Sequence, residues 1–480
     1  MEEQTVFTPQ SQPSQPGQVT SPVVPPISEP QIEQPAPSPG NLSRKPGIPF
    51  GKILRVFIGL LVILLILTIF IGVILPKFGS KKVSNVTLTY WGLWENKAVM
   101  QSIISEFERE NPTISVEYSK EDIKEYRERL ETRIANGSGP DIFRFHNTWY
   151  PMLSSDLLPI PTNIISREQF KEKYFSVAAR DLIKNGAIYG LPFNIDALAL
   201  FINNDKLSAA GVSIPSTWND FITASQTLTI KDQDGKIQTA GASIGTFENV
   251  SHAPDIISLL FVQNGVDTLD ISQNSQRVSD ALDFYTSFAK GDGAVWNGTL
   301  DNSILSFSQG NTAMIFAYSW DYFTIKALNP DLEFQIAPVP QLTSDNPTNL
   351  ASYWADGISV KSKHQKEALL FLKFLAEESS KEKLYTEEAK TRFFGEIYPE
   401  TRLASKLEDD PTLSIFVKQA GSATSSYFVD STHDNGLNDK LNNYLKDSVN
   451  ATLGGSSPQS ATETLIKGFS QVIFLYEQEQ

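Results

Sequence analysis

VSNVTLTYWGLWENKAVMQSIISEFERENPTISVEYSK, residues 83–120, changes its period twice within thirty-eight residues. Val86, Leu88 and Tyr90 alternate with polar residues, which is the two-residue period of a half-buried strand. Val99, Ile103 and Phe107 then recur every fourth residue, one face of a helix that stops at Asn111-Pro112. Ile114, Val116 and Tyr118 restore the strand period. Reading onward, Tyr126, Leu130 and Ile134 predict a second helix, NGSGP (136–140) breaks it, and DIFRF (141–145) predicts a third strand. Such a β-α-β-α-β start, with short connections and right-handed crossovers, builds a parallel sheet covered by helices.

The pattern continues far enough for two α/β lobes. Tyr189 to Ile202 (YGLPFNIDALALFI) reads as a strand opened by Gly and Pro. Helices are predicted over 220–228, 255–263, 275–290 and 366–384, the last as one amphipathic run, KEALLFLKFLAEESSKEKL. No internal repeat is visible. In open α/β sheets ligands sit beyond the carboxyl ends of the strands. Trp91 and Trp94 occupy that place on the first strand: Trp91 is expected to pack into the lobe, while Gly92 turns the chain and presents Trp94 and Glu95 to the crevice.

N-terminal to this region the composition changes. Residues 1–40 hold ten prolines with many Gln and Ser and almost no core-forming residues, so 1–50 reads as a disordered Pro/Gln-rich segment. Residues 56–75, VFIGLLVILLILTIFIGVIL, carry no charge and no proline. As a helix they would span about 30 Å, the hydrocarbon thickness of a bilayer. The apolar run is longer than a secretory h-region and lies too far from the N-terminus for one. It is expected to be a single transmembrane helix followed by a linker, 76–85. Lysines and arginines flank it on both sides, favouring a cytoplasmic N-terminus only slightly.

The formal net charge is −15 and the excess of acid lies beyond the span, which argues against nucleic acid or anionic lipid as a partner of that part. The chain has no cysteine, which removes disulfides, thiolate zinc sites, cysteine nucleophiles and a lipidated cysteine together. Other chemistry is thinly signalled. GASIG (241–245) matches G-x-S-x-G around Ser243, but no helix follows at once as a nucleophile elbow requires. KDQDGK (231–236) lacks the first and twelfth ligands of a calcium loop and reads as an Asp-Gly turn. His146, His252, His364 and His433 show no ligand spacing, so neither a metal nor a cofactor is expected.

Aromatic and amide side chains, by contrast, gather at element boundaries: Trp94, Asn147, Trp149, Asn249, Trp320 and Trp354 among them. Rings bury the C–H faces of a sugar and planar polar groups meet its hydroxyls, so neutral carbohydrate suits this inventory. Core packing accounts equally for several of these rings, for Trp91 and for Trp218 in PSTWNDF above all.

From about residue 83 to 475 the chain resembles the extracellular solute-binding proteins of bacterial ABC importers, of the sugar-binding group that includes maltose-binding protein. The resemblance rests on NGSGPDIF (136–143), YGLPFNIDALALFINNDKLSAAGVSIPSTWNDF (189–221), FSQGNTAMIFAYSWD (307–321) and KEALLFLKFLAEE (366–378), in that order. It implies a two-lobed periplasmic-binding-protein-like fold of type II behind the N-terminal transmembrane helix, with 86–194 and 356–410 in lobe 1 and 196–352 and 415–475 in lobe 2. Carried over by position, the substrate-binding residues would be Trp94, Glu95, His146, Asn147, Trp149, Asp196, Asn249, Trp320, Trp354 and Asp356. Glu95, Asp196 and Asp356 would accept hydroxyls, and FVDSTHDNG (428–436) would supply a last cleft loop. The implied protein is no enzyme. It is a monomeric, membrane-anchored, extracytoplasmic receptor that passes a mono- or oligosaccharide to ABC permease and ATPase subunits. A sensory ectodomain signalling through the span to a partner of the proline-rich tail is the alternative, and a hydrolase built on Ser243 a remote third.

Overall fold

A computed structural model describes residues 86–343 and 345–477. The leader 1–50, the span expected over 56–75 and the linker 76–85 lie outside the described residues. Among the described residues no helix is long and apolar enough to cross a membrane.

The opening stretch folds as its periods dictate: β1 (Val86–Gly92), α1 (Lys97–Glu110), β2 (Ile114–Lys120), α2 (Tyr126–Ala135) and β3 (Ile142–His146). α1 buries Val99, Met100, Ile103, Ile104 and Phe107, and Asn111 ends it by donating its side-chain amide to the Phe107 carbonyl. β2 and β3 both run parallel to β1. The sheet is nevertheless mixed, because one of the two later strands that complete it runs antiparallel to all the others.

The stretch 189–202, read as a single strand, is three. β4 (Leu191–Pro192), β5 (Asp196–Ala197) and β6 (Ala199–Asn203) each join a different sheet. Alternation cannot show where the chain leaves one core for another, because each short strand is buried on both faces among its own neighbours. Beyond it lie α3 (Trp218–Leu228), α4 (Ala253–Gln263), α5 (Ser275–Ser287), β7 (Met314–Ala317), α6 (Asp321–Leu328) and β8 (Phe334–Ala337). β6 sits between β7 and β8 at the centre of the second lobe's sheet.

The chain then returns through β9 (Asn349–Ser352) and β10 (Trp354–Ile358). β9 pairs with β5, whereas β10 inserts between β3 and β4 to give the first-lobe order β2-β1-β3-β10-β4. Sheet membership thus changes at Phe193–Ile195 on the way out and at Tyr353 on the way back. The helix predicted over 366–384 breaks into α7 (Gln365–Leu375) and α8 (Glu378–Glu388), because Glu377 adopts an extended ψ of 144° and restarts the helix. The C-terminal part adds α9 (Ser414–Ala420), β11 (Ala423–Thr424), and the paired helices α10 (Leu437–Leu453) and α11 (Pro458–Glu477).

Trp218, Ser243 and the KDQDGK turn are structural. The Trp218 indole donates to Gln263 (2.6 Å) inside a cluster with Phe221 and Phe284. The Ser243 hydroxyl is buried without a hydrogen-bond partner among the described residues. Asp232 Oδ1 closes the turn by accepting from the backbone N–H groups of Asp234 and Lys236.

Candidate functional site

The return strand decides what meets at the centre of the first lobe. The antiparallel register of β10 on β3 sets Trp354 against His146 and Asp356 against Arg144. Arg144 is fully buried and spends its guanidinium three ways: Nε to Asp356 Oδ1 (2.7 Å), Nη1 to Glu95 Oε1 (3.1 Å) and Nη2 to Tyr90 Oη (2.6 Å). The Phe193 ring lies 3.4 Å from its central carbon. Glu95 and Asp356, expected as acceptors of ligand hydroxyls, are therefore engaged below the cleft in a buried ion cluster, whose charges need this mutual pairing.

Gly92, at the end of β1, does not have a positive φ; a Cβ there would come within 2.5 Å of the Tyr118 hydroxyl. What this position requires is space for Tyr118, which reaches over it to donate to the Glu95 carbonyl. The chain beyond carries Trp94 outward, 38 % exposed, with its ring edge-on to Trp354 at 5.6 Å. Trp354 also meets His146 (5.1 Å) and Trp149 (5.4 Å). Trp91 instead packs on Tyr126.

From the second lobe, Tyr318 and Trp320 stack nearly parallel, centroids 4.3 Å apart. His252 stands edge-on to both rings, held in a left-handed conformation (φ 59°) with Nε2 2.9 Å from Asp321 and Nδ1 3.4 Å from Asp430. Burial opposes a charge on His252, but the two carboxylates outweigh it and hold its pKa well above the usual histidine value. Burial pushes the neighbouring Asp255 carboxyl up to about 7. Among the described residues His146 has no carboxylate partner: its nitrogens meet the hydroxyls of Thr148 and Ser352, and burial pushes its pKa down to about 3.

Between these two aromatic groups lies a cavity of about 280 Å³. Four of the ten sequence-selected residues line it: Trp94, His146, Trp320 and Trp354. The other six lie off its wall. Glu95 and Asp356 serve Arg144. Asn147 donates to Asp181 and accepts from the Tyr353 amide, beside the return crossing. Trp149 is buried behind Trp354. Asp196 accepts from the Ser319 amide and hydroxyl and the Ala197 amide, and so ties β5 to the second lobe. Asn249 accepts from the Trp296 indole and donates to two carbonyls, well within the second lobe.

Of the remaining wall, the sequence had named only the 428–436 loop, as a last cleft loop. Asn194 comes from the outward crossing, Ser319 from the turn between β7 and α6, Phe323 from α6 and Ser352 from the end of β9; Arg392, Phe394, Gly395 and Glu396 follow α8; Asp430, Ser431 and Thr432 belong to the 428–436 loop. Two polar atoms of these wall residues, Arg392 Nε and Thr432 Oγ1, are buried without a hydrogen-bond partner among the described residues. Glu95, Glu388 and Glu396 gather their carboxylates within 4.8 Å, and Arg144 and Arg392 supply the compensating charge. The positional signal for the loop after α8 was weak, since KTRFFGE has neither period nor motif.

Residues 91–382 match the family model described as bacterial extracellular solute-binding protein. The multiple sugar-binding protein of Streptococcus mutans is 26 % identical over 334 residues, 64 % of this chain and 75 % of that one. In three dimensions the chain is similar to the sugar-binding protein MalE of Xanthomonas citri, with a TM-score of 0.66 at 20 % identity over 82 % of this chain and all of that one. It is likewise similar to a cyclo/maltodextrin-binding protein complexed with maltotetraose, with a TM-score of 0.64 at 17 % identity over 82 % of this chain and 98 % of the other. A cavity between two α/β lobes, walled by rings from both, is thus found on a chain that belongs to the bacterial extracellular solute-binding proteins.

Proposed function

We propose that the protein captures a carbohydrate between its lobes and presents it to an ABC import permease from the outer face of the membrane. The observation that carries this reading is the cavity wall: Trp94 and Trp354 on one side and Trp320 on the other offer ring faces to sugar C–H groups, while the side chains of Asn194, Ser319, Ser352 and Ser431 bring polar groups to the same wall. His146, whose pKa burial holds down to about 3, is neutral beside those rings. A ligand touching both sides binds the closed arrangement more tightly than the open one and draws the lobes together.

In this reading lobe 1 comprises 86–194 with 356–410, lobe 2 comprises 196–352 with 415–475, and the crossings at 193–195 and 353 are the hinge. Residues 56–75 anchor the receptor, with 1–50 in the cytoplasm and 76–85 as a leash that raises its effective concentration near the permease. The sugar names of the relatives support the ligand class, and the family's extracellular character supports the orientation. The full-length protein in detergent, screened against a sugar panel by tryptophan fluorescence and thermal shift, is expected to respond to at least one mono- or oligosaccharide. Response to cationic ligands alone would overturn the carbohydrate class.

A further inference from the structure

The segment after α8 crosses from one lobe to the other. Its base leaves α8 of the first lobe and is held at the outward crossing: the Ile195 amide donates to the Ile397 carbonyl (3.1 Å), and Asn194 Nδ2 donates to Glu396 Oε2 (2.6 Å). Its two ends are tied together, since Glu388 Oε2 accepts from the Glu396 amide (2.8 Å) and Arg392 bridges Glu388 and Glu396. Gly395 fits because its Cα lies against Tyr385, where a Cβ would come within 2.5 Å of backbone.

The tip, however, rests on the second lobe. Phe394 packs on Phe323 of α6 (4.6 Å) and Tyr322 (5.6 Å), Phe393 lies on Tyr322 (5.2 Å), and the Arg392 guanidinium stands 5.5 Å from the Phe323 ring. Phe393 is 64 % exposed, an unusual position for a phenylalanine that packs on two rings. Arg392, Phe394 and Glu396 form one side of the cavity.

We propose that residues 391–396 are a specificity strap: an aromatic bridge between the lobes that walls off one side of the cavity and limits the length of ligand it accepts. This rests on the carbohydrate reading above. The cavity volume of about 280 Å³ lies just under the roughly 300–1,000 Å³ of sites for drug-sized ligands, which suits a short saccharide better than a long one. A longer chain must displace Phe394 from Phe323 and so forfeits an interlobe aromatic contact. The strap thereby discriminates by a cost placed on the wrong ligand rather than by a contact to the right one.

The test is a length series. Dissociation constants of full-length protein for linear gluco- and manno-oligosaccharides of about two to six units would be measured by tryptophan fluorescence, for wild type, Phe393→Ala and Phe393→Ala/Phe394→Ala. Wild type is expected to bind its preferred length at least about tenfold more tightly than chains two units longer, and the double variant to shrink that ratio to about threefold or less. Phe393→Ala, a change at an exposed ring, is expected to relax the ratio part-way and keeps the test decisive if the double variant does not fold. Equal affinity for all lengths in wild type, or an unchanged ratio in the folded variants, would overturn the strap while leaving the carbohydrate reading standing. Binding of no sugar by any of the three proteins would overturn both.

Discussion

Trp91 and Trp94 lie three residues apart and divide their work. Trp91 is a strand residue against Tyr126; Trp94 stands at the cavity against Trp354. Trp94→Ala is therefore expected to weaken ligand binding by about 1–3 kcal/mol with little change in the unfolding midpoint, and Trp91→Ala to do the reverse. Isothermal calorimetry and urea titration of both variants check the pair; equal losses of affinity would remove the division. His146 makes the second expectation at this scale. Its folded pKa is depressed to about 3, below the usual histidine value of about 6.5, so acid protonates the unfolded chain first. The native state then loses up to about 1.4 kcal/mol for each pH unit from about 6.5 towards 3. His146→Gln should flatten that limb relative to wild type in urea unfolding at pH 7, 6 and 5; parallel curves would show that His146 is not the cause. Residue identity was legible where a ring had to be near a strand end, as at Trp94, Trp320 and Trp354. It misled at Glu95 and Asp356: a carboxylate at a cleft position looks the same in sequence whether it faces ligand or a buried arginine 49 or 212 residues away.

At the scale of elements, period and punctuation gave β1 to β3 with the helices between them, because β1 and β2 alternate, each helix has one apolar face, and the NGSGP breaker sets off β3. They failed where burial is complete. In 189–202 all three strands are buried on both faces, so no alternation separates them, and Asn194 and Asp196, which fall at the change of lobe, do not by themselves tell a crossing from a polar strand position. The strap was invisible for the opposite reason: its shape comes from Gly395, the Glu388–Arg392–Glu396 ties and contacts made far away in sequence. The Arg144 cluster joins elements across the first lobe, namely β1, the loop beyond it, β3 and β10, and its cost if broken is calculable. Arg144→Met leaves two buried carboxylates without their counter-charge and is expected to destabilise by about 3–5 kcal/mol. Adding Glu95→Gln and Asp356→Asn to it removes the stranded charges and should recover much of that loss. Denaturant midpoints of the single and triple variants decide; a triple variant no better than the single one would mean that Arg144 acts by packing on Phe193 instead.

For the whole molecule the question is whether a ligand stabilises one lobe or both. The cavity draws its wall from both sheets' neighbours, from the two crossings, from the strap and from the 428–436 loop, which itself touches both sides: Asp430 faces His252, and the Asp434 carbonyl accepts from Arg127 of α2 (2.6 Å). A molecule bound there binds neither lobe well when they are apart. Its free energy is therefore available only to the assembled native state, and at a hundred times the dissociation constant it adds about 2.7 kcal/mol. Spread over the unfolding entropy of a unit of nearly four hundred residues, that raises the melting temperature by about 3 °C. Scanning calorimetry of the full-length protein with a saturating sugar should move the entire transition by that amount. Two resolved transitions of which only one moves would mean that the ligand is held by a single lobe, and closure would then need a cause other than the ligand's contacts with both.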